Sequence, residues 1–156
     1  MTHESLLNTL ILSMVQTSNI VEQSELQQGL KERGYDIPQA TLSRRLKKLN
    51  IAKVSGIYKI IDYNQPNLPL VLNMNVSESG LIVLHTSPGQ ASSLGYFIDK
   101  KHVSYHPQQA TNSGILGTIA GDDTVLLIIQ GPEYLEGVMA LLNHDFPYLK
   151  TTMGIK

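Results

Sequence analysis

The sequence contains no cysteine and no tryptophan, and only two of its 156 residues are phenylalanine. The absence of cysteine excludes disulfide bonds and zinc sites with thiolate ligands. With so few large aromatic residues, we expect a core of leucine, isoleucine and valine. No apolar run approaches the roughly 18 residues that a membrane-spanning helix needs, and the N-terminal segment lacks the basic residues of a signal peptide. We therefore expect a cytoplasmic globular protein without a membrane partner.

Charge is scarce, but it is unevenly distributed along the chain. The net charge is −1. Residues 1–62 contain eight Lys or Arg and six Asp or Glu, whereas residues 63–156 contain four and seven. Between residues 37 and 61 there are six basic residues and no acidic one. A basic segment of this kind is a feature of proteins that bind nucleic acid.

Apolar residues recur at helical spacing in the first part of the chain. This spacing predicts a first helix from about Glu4 to Val15. Ser24 and Gln27 fit the capping-box pattern, which predicts the start of a second helix, and Gly34 fits the position just after its end. Two short helices are therefore expected before the basic segment begins.

The basic segment predicts a third helix and a hairpin. After Pro38, three leucines form one apolar stripe, while polar and basic residues gather on another face. Alternating residues on both sides of Ser55 and Gly56 predict a two-stranded hairpin. Three helices followed by a hairpin is the order of a winged helix-turn-helix, whose third helix enters the major groove of DNA. We therefore predict DNA binding, against the alternative that the helix only presents a solvated basic face.

The second half of the chain predicts a separate domain. A segment with prolines and asparagines at residues 63–69 is typical of a linker. After it, the pattern predicts the order β-β-α-β-β-α, which indicates helices packed on one sheet. We therefore predict an α+β protein with a winged helix-turn-helix domain at residues 1–62 and a second domain at residues 70–156. Residues 102–114 are predicted to form a long loop.

Two adjacent carboxylates, Asp122 and Asp123, lie between the last two predicted strands. Neighbouring side chains of an extended chain point to opposite sides, so these two are poorly placed as an acid/base pair. Glycine and aspartate are ordinary turn residues, which favours a hairpin turn. A cation site is also compatible, because a carboxylate binds a guanidinium through charge-assisted hydrogen bonds. The residues alone leave both interpretations open.

The histidines do not indicate an enzyme. His85 lies two residues before Ser87, but the G-x-S-x-G motif of serine hydrolases is absent. His102 and His106 have the spacing of metal ligands on a helix, but Pro107 follows at once. We interpret His85 as a hydrogen-bonded structural histidine and the other two as loop residues. We therefore predict no catalytic residue, no metal site and no cofactor.

Three motifs, in the right order, resemble those of the arginine repressor family of bacterial regulators. They are QATLSRRLKKL at 39–49, VLHTSPGQASSLGYFID at 83–99 and GILGTIAGDDT at 114–124. The resemblance extends from about residue 4 to residue 143. It implies a DNA-binding transcriptional regulator of arginine metabolism. It also implies a hexamer made of two stacked trimers, with L-arginine bound where the trimers meet.

The resemblance also implies which residues function, when it is placed residue by residue on this sequence. The recognition-helix motif falls on Gln39, Thr41, Ser43 and Arg44, and the basic residues Arg45, Lys48 and Lys53 complete the predicted contacts with double-stranded operator DNA. The effector-binding positions fall on Ser92, Asp99, Thr118, Ala120, Asp122 and Asp123. Ser92 stands where the family has a longer amide side chain.

Two alternatives to an arginine-responsive repressor remain. The first is the same DNA-binding scaffold with a different amino-acid effector or none, which the short side chain of Ser92 makes credible. The second is an amino-acid-sensing module that acts through a protein partner. The uninterrupted basic segment at residues 37–61 argues against the second alternative.

Overall fold

The computed structural model describes residues 2–61, 68–106 and 113–149. The chain forms two compact units, Met1–Tyr63 and Asn64–Lys156. Both combine helices with antiparallel strands, which confirms the predicted α+β class. No helix in the described part of the chain is long and apolar enough to cross a membrane.

The first unit consists of three helices followed by a two-stranded hairpin, in the predicted order. Its elements are α1 (His3–Thr17), α2 (Gln23–Glu32), α3 (Gln39–Lys48), β1 (Ile51–Val54) and β2 (Ile57–Ile60). Leucines and isoleucines from all three helices and from β1 form one buried cluster, as the scarcity of aromatic residues predicted. The helices therefore bury a common apolar core and leave their polar faces outside.

Helix α2 ends as predicted. Gly34 follows the helix with a φ of +87°, a left-handed conformation that glycine adopts without strain. Its N–H donates to the carbonyl of Lys31 at 3.0 Å, and the N–H of Tyr35 donates to the carbonyl of Leu30 at 2.9 Å. These two bonds form a Schellman motif and satisfy carbonyls that the helix leaves free.

The start of α2 differs from the prediction. The predicted capping box of Ser24 and Gln27 is wrong, because the box is formed by Glu22 and Glu25 instead. The Glu25 carboxylate accepts the N–H of Glu22 at 3.1 Å. Carboxylates accept N–H groups as hydroxyls do, and they interact more favourably with the positive end of the helix dipole. The motif therefore occurs two residues earlier than predicted.

The hairpin of the first unit turns at Ser55 and Gly56, as predicted. Their φ angles are 52° and 79°, both in the left-handed region. Two successive residues of this kind are characteristic of the type I′ turn, whose twist matches that of the two strands. The hairpin is attached to the helices, because the N–H of Tyr58 donates to the carbonyl of Ile20 at 2.9 Å.

The second unit has the predicted order β-β-α-β-β-α. Its four strands form one antiparallel sheet in the order β3-β4-β6-β5. The elements are β3 (Asn73–Val76), β4 (Ile82–His85), α4 (Ala91–His102), β5 (Ile115–Ala120), β6 (Thr124–Ile129) and α5 (Leu135–Asp145), with short 3₁₀ turns at Pro132–Tyr134 and Pro147–Leu149. Strand β5 therefore lies at an edge of the sheet.

The sheet has one covered face and one open face. Four residues of the two central strands are fully buried on the face that the helices cover: Ile82, Leu84, Val125 and Leu127. Their neighbours along the strands point to the other face, because side chains alternate along a strand. Those neighbours are half-buried or exposed, and they include Val83, Leu126 and Ile128. Ile119 of β5, which is exposed, pairs with Leu126 on the same face. Within the described part of the unit, the apolar surface of the open face therefore has no cover.

The ends of α4 and α5 are joined by an ionic cluster. Nε2 of His102 lies 2.5 Å from the carboxylate of Asp145, and the ammonium of Lys101 contacts the same carboxylate. The prediction that His102 is a loop residue is wrong, because it is the last residue of α4. Its carboxylate partner is distant in sequence. His106 lies in an irregular segment, as predicted, and residues 107–112 of that loop lie outside the described part.

Tyr148 fixes the segment that leads into the sheet. Its hydroxyl oxygen accepts the buried N–H of Val71 at 2.8 Å. Burial raises the pKa of Tyr148 to about 12, and the hydrogen bond from Val71 opposes that increase only in part. The C-terminal 3₁₀ turn therefore supplies the acceptor that the Val71 N–H would otherwise lack.

We expect Tyr148→Phe to destabilise the second unit by about 1–3 kcal/mol, the usual cost of leaving a buried N–H without an acceptor. Urea unfolding of the variant and of wild type would measure this difference. Tyr105→Phe is a matched control, because Tyr105 is 79% exposed. An equal loss of stability in both variants would show that the loss does not come from the Val71 hydrogen bond.

The raised pKa predicts a pH dependence as well. In the unfolded chain a tyrosine ionises near its ordinary pKa of about 10, whereas folded Tyr148 keeps its proton to about pH 12. The stability that the protonated hydroxyl of Tyr148 contributes is fully present below pH 10, and it is lost as the pH rises toward 12. Wild type should therefore lose more stability than Tyr148→Phe over this interval. If the stabilities of the two proteins changed in parallel with pH, the assignment of a raised pKa to Tyr148 would be contradicted.

Candidate nucleic-acid interface and effector site

Helix α3 separates its apolar residues from its polar ones. Leu42 and Leu46 are buried in the core of the first unit. On other faces of the same helix, Arg44 is exposed, and Thr41 and Ser43 are half-buried. Arg44 makes no hydrogen bond or ion pair with another residue in the part of the chain that the structure describes. Its five N–H donors are therefore available to an external partner.

Gln39 stands at the start of α3 and contacts helix α2. Its Nε2 donates to Oε1 of Gln23 at 3.2 Å; Gln39 is exposed and Gln23 is half-buried. The amide of Gln39 keeps its carbonyl oxygen and one N–H free of this contact. The interaction fixes the orientation of the amide at the end of α3 that lies beside α2.

Arg45 and Lys48 are one turn apart on α3, but their surroundings differ. Nη1 of Arg45 donates to Oδ1 of Asn8 at 2.7 Å and to Oε1 of Glu4 at 3.3 Å, and the side chain is only 18% exposed. Nζ of Lys48 lies 3.8 Å from the same Glu4 carboxylate, but 76% of its side chain is exposed. The structure therefore leaves Lys48 accessible and places Arg45 against α1.

Lys53 extends the basic surface onto strand β1. Its ammonium lies 3.3 Å from the Glu22 carboxylate and 5.9 Å from the centre of the Tyr58 ring. Exposed ion pairs of this kind contribute only about 0–1 kcal/mol, because water screens them. A phosphate group can therefore replace the Glu22 carboxylate at little cost.

In the second unit, the predicted effector residues lie along the line where β5 meets α4, which we call the β5–α4 seam. The hydroxyl of Thr118 on β5 donates to Oδ1 of Asp99 on α4 at 3.0 Å. Between them the helix carries Gly95, where a Cβ would lie 3.1 Å from Oγ1 of Thr118 and 3.4 Å from Cβ of Ala120. The strand and the helix approach this closely because Gly95 has no side chain.

Ser92 lies on the same face of α4 as Gly95 and Asp99, since helical residues three and four apart are neighbours. It is exposed at the helix end that faces the β5–β6 turn. At that end the carbonyl of Asp122 accepts the N–H groups of Gly89 and Ala91, at 3.0 and 3.2 Å. The turn and the first residues of α4 are therefore held together by backbone hydrogen bonds.

Asp122 and Asp123 form the predicted hairpin turn. The N–H of Gly121 donates to the carbonyl of Thr124 at 2.8 Å, which closes the turn. The Asp122 carboxylate accepts the N–H of Gly89 at 3.1 Å, and the Asp123 carboxylate accepts the Thr124 hydroxyl at 2.9 Å. Both side chains are exposed. Each ionised carboxylate has further acceptor positions, so the turn retains the capacity to bind a cation.

Comparison with known proteins matches the two units of the chain to two separate family models. Residues 3–65 match the family model described as "Arginine repressor, DNA binding domain", and residues 70–144 match "Arginine repressor, C-terminal domain". The chain belongs to the arginine repressor family. This membership makes it a DNA-binding regulator rather than an enzyme.

Three curated relatives illustrate the extent of the similarity to the arginine repressor family. The arginine repressor of Phocaeicola vulgatus is 34% identical over 154 residues, covering 88% of this chain and 92% of its own. That of Bacillus velezensis is 35% identical over 145 residues, with 85% and 91% covered. That of Halothermothrix orenii is 35% identical over 136 residues, with 76% and 82% covered. The similarity therefore includes both units.

One histidine interpretation is wrong. Nδ1 of His85 is buried and has no hydrogen-bond partner among the described residues. The residue lies on the open face of the sheet, paired across the strands with Asn73 and Thr124. Within the described ranges, no group of three or more His, Asp or Glu residues is arranged to hold a metal ion.

Sequence reasoning missed three residues that shape these surfaces. Gly95 was detectable in principle, because an isolated glycine inside a helical pattern often marks a close approach. Glu4 and Asn8, which contact Arg45, gave no signal. Glu4 is exposed and Asn8 is half-buried, and only the packing of α1 against α3 brings these polar residues to the guanidinium.

Proposed function

We propose that the protein represses genes of arginine metabolism by binding operator DNA through residues 1–62, and that L-arginine controls this binding through residues 70–156. Residues 63–69 link the two domains. L-arginine acts as an effector and not as a cofactor. The observation that carries the proposal is the exposed face of α3, where Arg44 has no partner among the described residues.

We propose that the first domain binds as a winged helix-turn-helix. In this mode α3 enters the major groove and the β1–β2 hairpin lies along the backbone. Arg44 reaches guanine, and Gln39, Thr41 and Ser43 contact bases or nearby phosphates. Lys48 and Lys53, which are paired only with exposed carboxylates, bind phosphates.

Base-reading and phosphate-binding residues should respond differently to substitution. We expect Arg44→Ala to reduce the preference for a selected duplex over a shuffled one by roughly 5- to 150-fold, the range for one bidentate base contact. Lys53→Ala should weaken both duplexes alike and make the logarithmic salt slope shallower by about 0.9. Fluorescence anisotropy at several salt concentrations measures both effects.

The duplex for this measurement is the one that wild type selects from a random library in the presence of L-arginine. Equal preference in wild type and Arg44→Ala would remove Arg44 from base recognition. Affinity that does not change with salt would exclude the proposed phosphate contacts altogether.

We propose that the guanidinium of L-arginine binds Asp122 and Asp123, and that Asp99, Thr118, Ala120 and Ser92 position the ligand at the β5–α4 seam. A guanidinium suits these exposed carboxylates because it donates two parallel hydrogen bonds to each carboxylate that it meets. Strand β5 lies at the sheet edge, so the seam is accessible to a neighbouring subunit. Arginine then favours the assembly that binds DNA, because arginine binds that assembly more tightly than the other states of the protein.

The carboxylates should account for most of the response to arginine. We expect Asp123→Asn to lose about 2 kcal/mol or more of arginine binding, as when one partner of a charged pair is removed. Its affinity for DNA without arginine should stay unchanged. Isothermal titration with arginine, lysine, ornithine and citrulline tests the site, since citrulline has the shape of arginine without its charge. Equal binding of arginine by variant and wild type would contradict the site.

Ser92 provides a second test of the same site. Because the serine side chain is shorter than the amide of the family pattern, we expect Ser92→Gln to bind arginine more tightly. Binding of another amino acid in preference to arginine by wild type would favour a different effector. The proposed DNA-binding function would be unaffected by that result.

We propose that the second domain assembles into trimers and that two trimers stack as a hexamer around the arginine sites. The open face of the sheet supports assembly. Ile119 is 60% exposed and Ile128 is 40% exposed, and the paired strand residues described on this face include no Asp, Glu, Lys or Arg. An uncharged face that exposes large aliphatic side chains is typical of a protein interface.

We expect Ile119→Lys to dissociate the assembly, because it places a charge in the proposed interface. Sedimentation velocity of the full chain at micromolar concentration measures the effect. Leu6→Lys is the matched control, since Leu6 is similarly exposed but belongs to the first unit. Assembly that survives Ile119→Lys would place the interface elsewhere, and a monomeric wild type would refute the assembly itself.

A further inference from the structure

We propose that Arg45 is a positioning residue of the DNA-binding domain. It holds helix α3 in the orientation from which Arg44 and Ser43 reach the bases, and it does so through Asn8 and Glu4 of α1. It makes no DNA contact of its own. The inference rests on the proposed DNA-binding function, and it replaces the expectation that Arg45 binds DNA directly.

The geometry distinguishes two adjacent arginines. Successive residues of a helix point about 100° apart, so Arg44 and Arg45 face different surroundings. Arg44 is exposed, whereas Arg45 extends toward α1, where it donates to Asn8 at 2.7 Å and to Glu4 at 3.3 Å. Nε of Arg45 is buried as well, without a partner among the described residues. The guanidinium of Arg45 is therefore part of the α1–α3 contact.

A phosphate contact by Arg45 would break that arrangement. The side chain would have to leave Asn8 and Glu4, which would lose two hydrogen bonds, one of them part-buried. Lys48 approaches the same Glu4 carboxylate but is mostly exposed, so it can turn to a phosphate at little cost. The carboxylate of Glu4 also neutralises the charge of Arg45, which reduces the attraction of that charge for DNA.

The contact restricts a motion that apolar packing leaves possible. Leu42 and Leu46 fix α3 to the core, but apolar contacts are not directional. The hydrogen bond to Asn8 is directional, and it therefore fixes the rotation of α3 about its axis. A bidentate contact between Arg44 and a base depends on alignment, whereas attraction to phosphates depends mainly on charge. Loss of Arg45 should therefore reduce base discrimination without changing the salt dependence.

The test uses the full-length protein with four variants: Arg45→Ala, Asn8→Ala, the double variant and Lys48→Ala. Affinity is measured at several salt concentrations for the duplex that wild type selects from a random library and for a shuffled duplex. We expect Arg45→Ala to reduce the preference for the selected duplex by roughly five- to tenfold. This is part of the discrimination that one base contact provides. The salt slope should remain that of wild type.

Asn8→Ala should reproduce most of this loss, and the double variant should lose no more than Arg45→Ala alone, since contacting residues act non-additively. Lys48→Ala is the control. Its logarithmic salt slope should be shallower by about 0.9, and its affinity for both duplexes should fall equally. A partly unfolded variant lowers the active concentration for both duplexes equally. It leaves their affinity ratio unchanged, so the ratio separates positioning from a general loss of stability.

The result that overturns the inference is a shallower salt slope for Arg45→Ala, with equal weakening of both duplexes and no effect of Asn8→Ala. That pattern would make Arg45 a phosphate contact. If Arg45→Ala does not fold, Asn8→Ala alone decides, and an unchanged duplex preference in it refutes the positioning role. A wild type that does not distinguish the duplexes would instead refute the proposed function.

Discussion

Helix α4 packs against strand β5 with a separation that residue 95 sets, since a methyl group at this position would meet Thr118 and Ala120. The close approach brings the Thr118 hydroxyl within hydrogen-bonding distance of Asp99. It also aligns one face of α4 with an edge strand that is free on its outer side. The candidate effector residues share the seam because this one contact is close.

The same packing leaves the opposite face of the sheet open. Both helices of the second unit cover one face, where the central strands bury four aliphatic side chains. The other face keeps its apolar residues and the unsatisfied Nδ1 of His85. Burying such a face is favourable by roughly 25 cal/mol per Å² of apolar surface. The second unit thus combines candidate effector residues at the sheet edge with an open face that carries apolar residues. This combination agrees with the proposal that arginine acts by favouring the assembly.

In the first unit, acidic residues moderate a basic surface. Glu4 approaches Arg45 and Lys48, and Glu22 approaches Lys53, whereas Arg44 has no acidic neighbour among the described residues. Exposed pairs of this kind are weak and screened by salt. Phosphates can therefore displace the carboxylates from the two lysines. Arg44, exposed and without a partner among the described residues, keeps its guanidinium available for a base in the proposed complex with DNA.

Local patterns in the sequence determined most of the architecture. The apolar spacing of the helices, Gly34 after α2, the Ser55-Gly56 turn and the order of helices and strands along the chain were all predictable, because each depends on residues close together in the chain. The capping box of α2 was misplaced by two residues, since the helix begins earlier than expected and Glu22 and Glu25 form the box at its first turn. The three motifs at residues 39–49, 83–99 and 114–124, taken together and in order, also sufficed to identify the family.

Only the tertiary structure decided the roles of individual polar side chains. Nothing in the segment from Arg44 to Arg45 distinguishes the two arginines, yet one is free and the other binds residues 37 and 41 positions away. His102 likewise acquires a carboxylate partner 43 residues distant, and His85 has a buried nitrogen without one. Sequence periodicity reports which face of an element is apolar. The partner that a polar atom meets depends on how the elements pack, and only the folded chain specifies that.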